Sequence, residues 1–216
     1  MRLYVIRHGE SHVNVQNHAT LRSMDTSLTE KGEQQAQALH DWLVKRHRQA
    51  DALYASTMRR TRETAHYVSA ALGCDTVFDD RLREIGNNYI DGRPRPENDL
   101  PRQFDRRATP DQAPFLPRVS GVADGESVMH LRLRVARFIH DVSNKHPKQT
   151  VYVVAHGGVL MALFDNIFNT GMYRMCQVQT ENTGWSYFHY TPTAGRKTWQ
   201  LLAHNRIDHL IEAGMR

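Results

Sequence analysis

Three short stretches of the chain combine arginine and histidine as a phosphate-handling site requires. Arg7 and His8 stand in "RHGE", directly after an apolar run at residues 3–6. Arg60 lies in "STMRR", after "ALYAS", and His156 opens "HGG", after "TVYVV". Guanidinium groups grip phosphate oxygens in bidentate fashion and keep their charge. Imidazole is the side chain whose charge changes near neutral pH. Gly157 and Gly158 open a helix-like segment, and the free N–H groups and positive dipole end of a helix start attract anions. If the three strand ends meet, two arginines, two histidines and a helix N-terminus form a site for a phosphate dianion.

What has to bring them together is an alternation of strand-like and helix-like segments, the pattern of parallel βαβ units. After the first strand comes "SLTEKGEQQAQALHDWLVKR", with Thr29 as helix N-cap and Ala36, Leu39 and Leu43 on one face. Residues 52–56 read as a second strand, "MRRTRETAHYVSAALG" as a helix closed by Gly73, and Val77 and Phe78 as a third strand. A helix resumes at Glu126, carries Val128, Leu131, Val135, Phe138, Ile139 and Val142 on one stripe, and ends near Pro147. Residues 150–155 form the clearest buried strand, "HGGVLMALFDNIF" the next helix, and "WSYFHY" and "TWQLLA" suit edge or antiparallel strands. The prediction is an α/β fold: a three-layer α/β/α sandwich with a mostly parallel central sheet and a cap-like insertion. Right-handed crossovers bring the three strand ends to one edge, where open α/β sheets bind ligands.

One domain, 1–216, accommodates this plan, with residues 93–125 as a Pro/Arg-rich insertion near the site. Residues 93–118 hold six of the eight prolines and six arginines, unsuited to a packed sheet and suited to a long functional loop. Acids at 97, 99, 105 and 111 dilute that charge.

Apolar and charged fractions of 40% and 24% are those of a globular protein. Cys74 and Cys176 are too few and too far apart for a disulfide framework or a zinc site, which favours a reducing, cytoplasmic setting. No apolar run has the length of a signal peptide or a membrane span. Net charge is +5, with 23 arginines against five lysines. Without aromatic interleaving or a known module, that charge does not indicate nucleic acid. His8 and His12 lack the HExxH context of a zinc pair, and His204 and His209 are expected at the surface or a sheet edge.

The order of motifs resembles the histidine phosphatase superfamily, which includes cofactor-dependent phosphoglycerate mutase. "RHGES" with Asn14 matches RHGE[TS]xxN, "LTEKG" matches LTxxG, and "STMRRTRETA" matches SPLxRAxxTA with Arg60 as the second arginine. "RLREI" matches the segment that bears the acid–base glutamate, here Glu84; "DGES" precedes the long helix and "VYVVAHGGV" carries His156. The resemblance implies that His8 is the nucleophile and that Arg7, Arg60 and His156 hold the phosphoryl oxygens. It makes Glu84 the general acid and base, and Asn14, the Gly157 N–H and, more weakly, Ser11 phosphate donors. No metal and no cofactor are implied; the partner is a small phosphorylated substrate.

Two departures stand out. Thr57 replaces the usual proline, a minor change in the turn, and "NNYIDG" replaces "FGxWEG" after Glu84, altering the leaving-group side. Because "EIGNNYIDG" lacks the mutase features at this place, hydrolysis is preferred to phosphoglycerate mutation, and the retained histidines and arginines argue against a non-catalytic binding protein. For Glu84 the plainer reading is an exposed ion pair with Arg81 or Arg83.

Overall fold

The structure, a computed structural model, describes residues 1–15, 25–85, 89–90, 93–94, 109–116, 126–193 and 196–216. Strand β1 (Arg2–Arg7) is followed by a single helical turn α1 (His12–Val15), then α2 (Glu30–Lys45), β2 (Ala52–Ala55), α3 (Arg59–Leu72) and β3 (Thr76–Phe78). Two short strands, β4 (Tyr89–Ile90) and β5 (Arg93–Pro94), pair antiparallel as a separate ribbon. The chain continues through α4 (Val128–Lys145), β6 (Thr150–Ala155), α5 (Gly157–Ile167), β7 (Trp185–Thr193), β8 (Arg196–Arg206) and α6 (Asp208–Glu212).

The central sheet runs β3-β2-β6-β1-β7-β8. The first four strands are parallel, and β7 and β8 complete the sheet antiparallel, as their alternating sequences suggest. Strand β1 shows why both faces must be covered. Leu3 and Val5 join one core with α4 and α5, while Tyr4 and Ile6 join a second core with α2 and α3. Since side chains alternate along a strand, an apolar run of this kind needs helices on both sides. On the α2/α3 face Tyr187, Tyr4 and Tyr152 stack across three adjacent strands at centroid spacings of 4.6 Å.

Local signals set the helix ends. Thr29 caps α2 by accepting from the Gly32 N–H. Gly73 closes α3 at φ 60°, a left-handed conformation that glycine adopts without penalty. Helix α4 starts at Val128 rather than Glu126, because Ser127 forms a capping box with His130. Glu126 is thereby left outside the helix, where it pairs with Arg134.

Most of the 93–125 insertion lies outside the described residues. Its longer described stretch, 109–116, docks on two sides: the Met129 N–H donates to the Pro114 carbonyl and the Arg174 N–H to that of Pro110. Among the described residues no helix is long and apolar enough to cross a membrane.

Candidate active site

The three histidine- and arginine-bearing strand ends are neighbours. Register pairs Arg7 with Ala155 and Ala55 with Val154. The ladder continues one step past the strands, with the His8 N–H donating to the Ala155 carbonyl and the Ser56 N–H to that of Val154. His8, Ser56 and His156 therefore emerge side by side at the carboxyl edge of β1, β2 and β6.

The loop after β1 is locked to the start of α2. A Cβ on Gly9 would lie 2.6 Å from the Gly32 carbonyl oxygen, and one on Gly32 would lie 1.9 Å from that of Glu10. Glu10 accepts from the Thr29 hydroxyl and from Lys31. The "LTEKG" turn thus braces "HGE", with both glycines needed for close backbone approach.

His8 is buried. Its Nδ1 pairs with the Gly9 carbonyl at 2.7 Å, so Nδ1 carries the proton, and its Nε2 accepts from the Arg60 Nε–H at 3.1 Å. Burial first, then the charges of Arg60 and Arg7, hold the His8 imidazole well below its usual titration range. His156 crosses it edge-on with ring centroids 5.1 Å apart. Its titration is also depressed, by burial and then by Arg60, His8, Arg134 and Arg83. Burial pushes the Arg60 guanidinium down to about 10 against the pull of Glu84, leaving it charged at neutral pH. Arg7 is lowered by burial, with Glu84 and Glu181 opposing; its Nη1 donates to the Thr180 carbonyl. Among the described residues, the buried Arg7 Nε and His156 Nδ1 have no hydrogen-bond partner.

Glu84 is not in an ion pair with its neighbours. Arg81 pairs with Asp79 and Asp141, and Arg83 donates to Thr57. The Glu84 carboxylate instead accepts from its neighbour's Ile85 N–H at 2.9 Å and from the Gly158 N–H at 3.0 Å, at the positive end of α5. A Cβ on Gly158 would fall 2.3 Å from Oε1, so the second glycine of "HGG" makes room for this carboxylate. Gly157 adjoins Arg7, whose Nε is 3.9 Å from a Cβ built there.

Ser11 and Asn14 are joined to each other. The buried Ser11 donates both its N–H and its hydroxyl to the Oδ1 of the exposed Asn14. Among the described residues neither has a direct hydrogen bond to His8, Arg60 or His156.

A model of the histidine phosphatase superfamily (branch 1) matches residues 3–205. The chain belongs to that superfamily. It is 30% identical to a putative phosphoserine phosphatase 2 of Hydrogenobacter thermophilus, over 87% of this chain and 89% of that protein. It is 28% identical to a probable phosphoglycerate mutase GpmB of an Enterobacter species, over 97% and 95% of the two chains. Among solved structures, Bacillus stearothermophilus YhfR aligns with a TM-score of 0.75 and 27% identity, over 97% and 98% of the chains. As a histidine phosphatase the protein is an enzyme of the phosphatase class.

Several supports of this candidate site escape the sequence reading. Ser56 pairs with His156 at 2.9 Å. Thr57, in place of the family's proline, does more than adjust a turn: its hydroxyl donates to Asp80 and accepts from Arg83. Glu126 holds Arg134 in a buried bidentate pair, and Arg134 Nη1 donates to the Arg81 carbonyl, bracing the segment that leads to Glu84. The 180–184 turn clamps β1: Asn182 Nδ2 donates to the His8 carbonyl and the Thr183 N–H to that of Arg7. Thr183 holds φ 57°, unfavourable for a β-branched residue. His209, expected at the surface, is 1% exposed because α6 lays it under this turn, against the Thr183 hydroxyl. The only sequence signal for it is the spacing of Leu210 and the polar "TENTG", which fixes no partner.

Proposed function

We propose that this histidine phosphatase hydrolyses small phosphomonoesters through a phosphohistidine on His8. The observation that supports the reading most is the pairing of His8: Nδ1–H to the Gly9 carbonyl, Nε2 toward Arg60. That tautomer presents the Nε2 lone pair for in-line attack on phosphorus. The P–O bond to the leaving group breaks as the P–N bond forms. Glu84 protonates the departing alkoxide, then takes a proton from the water that cleaves the P–N bond and releases inorganic phosphate. Arg7, Arg60, His156 and the Gly157 N–H face the equatorial oxygens as charge redistributes; Asn14 and Ser11 serve at the margin of this cradle. The arginines supply the positive charge, so the scheme needs neither metal nor cofactor.

Relatives named for phosphoserine and phosphoglycerate make small carboxylate-bearing phosphomonoesters the first substrates to test. Hydrolysis is preferred to phosphoryl migration on the segment after Glu84. The chain is read as one cytoplasmic domain, 1–216, with 93–125 as an insertion near the site. The test is phosphate release from p-nitrophenyl phosphate in excess EDTA, wild type against His8→Ala. Turnover that survives the chelator and disappears with the imidazole agrees with the reading; full activity in His8→Ala refutes it.

A further inference from the structure

We infer that Ser56 is a positioning residue that fixes His156 as a neutral Nδ1–H donor aimed at the phosphoryl group. The inference builds on the phosphatase reading, but its geometric basis stands apart from it. Ser56 is wholly buried, and its Oγ has two polar neighbours among the described residues. The Met58 N–H lies at 3.2 Å and the His156 Nε2 at 2.9 Å. A backbone N–H can only donate, so the hydroxyl proton of Ser56 has one acceptor within reach, the Nε2 of His156. Nε2 is then a lone pair, and the proton of the neutral ring sits on Nδ1.

The opposite tautomer fails twice. With a proton on Nε2, Ser56 Oγ would accept two hydrogen bonds and its own buried O–H would have no acceptor. The His156 Nδ1 would present a lone pair rather than an N–H, in a place lined with cations suited to an anion. A buried hydroxyl proton left without an acceptor is a cost that the Nδ1–H tautomer avoids. In the favoured tautomer the same Nδ1, which has no partner among the described residues, is a preorganised donor for a phosphoryl oxygen.

Ser56 is itself fixed. Its N–H donates to the Val154 carbonyl in the ladder, and the Thr61 hydroxyl lies between its carbonyl, at 3.0 Å, and that of Met58, at 2.6 Å. The serine that precedes the arginine helix thus carries orientation from β2 to β6. This resembles the way partners behind a metal-bound histidine set its tautomer.

The experiment reads the tautomer directly. In protein with 15N-labelled histidine, long-range 1H–15N spectra distinguish an N–H nitrogen from a lone-pair nitrogen in each ring, and His156→Asn assigns the signals. The wild type should show His156 protonated at Nδ1. Ser56→Ala should lose that single tautomer and lower kcat on p-nitrophenyl phosphate by about 10- to 100-fold, the usual loss when such a partner is removed, with KM little changed. Ser56→Thr, which keeps the hydroxyl, should recover the tautomer and most of kcat. A wild-type ring protonated at Nε2, or a Ser56→Ala enzyme with unchanged kcat, overturns the inference and leaves the phosphatase reading intact. A wild type without any phosphatase activity removes that reading, and the tautomer still decides the role of Ser56. If either variant does not fold, the wild-type spectrum alone decides.

Discussion

Arg60 donates its Nε–H to Nε2 of His8 across 3.1 Å, so guanidinium and imidazole share the lone pair that the proposed in-line attack uses. Phosphate oxygens compete for that N–H far better than a neutral imidazole does, since the bond becomes charge-assisted on both sides. In the proposed reaction, binding of the dianion then frees the His8 lone pair in the same event. The same arginine disfavours imidazolium and keeps the lone pair available.

The pH dependence follows from that second role. Burial, Arg60 and Arg7 hold His8 below the ordinary value of 6.5, so kcat/KM should stay level as pH falls through 6.5 and drop only at lower pH. Arg60→Gln removes one lowering charge. Its acid limb should move to higher pH, with a plateau about 10²–10³ lower. Superimposable acid limbs in the two pH–rate profiles would contradict the assignment.

Gly158 is predicted to be intolerant and Gly157 tolerant of a methyl group. Gly158→Ala places a carbon 2.3 Å from Glu84 Oε1 and must displace the carboxylate, whereas Gly157→Ala meets nothing closer than Arg7 Nε at 3.9 Å. If Glu84 is the general acid proposed above, its displacement should lower kcat of Gly158→Ala by about 10²–10⁴. Thermal midpoints near wild type should accompany both changes, since alanine is no worse than glycine in a helix. Equal kcat values for the two variants would separate Glu84 from the chemistry.

Much of this was legible because it is local. The apolar runs at 3–6 and 150–155, the cap at Thr29 and the turn at Gly73 each depend on a few adjacent residues, and right-handed crossovers then favour strand ends at one edge, while the strand order itself comes from the structure. The supports of the site were not legible because each joins distant residues: Ser56 to His156, Thr57 to Arg83, Glu126 to Arg134, Asn182 to His8. A serine or threonine carries no pattern that names its partner. His209 misled for a related reason: a lone histidine in a polar tail reads as exposed until α6 is folded back on the 180–184 turn.

Glu126 and Arg134 are 5% and 9% exposed, so neither charge can find water if the other is removed. Glu126→Ala should destabilise the protein by about 3–5 kcal/mol in urea unfolding, the usual result of removing one member of a buried ion pair. It should also lower kcat, because Arg134 holds the Arg81 carbonyl three residues before Glu84. A loss below about 1 kcal/mol, the range of surface pairs, would show the pair to be dispensable.

His209 gives the fold an acid-sensitive term. The Thr183 hydroxyl donates to the Asn182 carbonyl and accepts from His209 Nε2, leaving Nδ1 buried as a lone pair with no place for a second proton. Burial lowers the group from 6.5 to about 4. The unfolded chain therefore binds more protons between those values, and stability contributed by neutral His209 is present above pH 6.5 and lost as pH falls toward 4. The full term is about 3 kcal/mol. His209→Gln should flatten the pH dependence of urea stability in that window; an unchanged slope would show that the imidazole titrates normally.

The most direct measurement is to quench turnover of p-nitrophenyl phosphate in alkali within milliseconds and map the phosphoryl group by peptide mass. The account predicts one acid-labile phosphoryl group, on His8, which is absent in His8→Ala and accumulates in a variant slowed at hydrolysis of the intermediate. A phosphoryl group on another residue, or steady turnover with none on His8 at any time point, would contradict it.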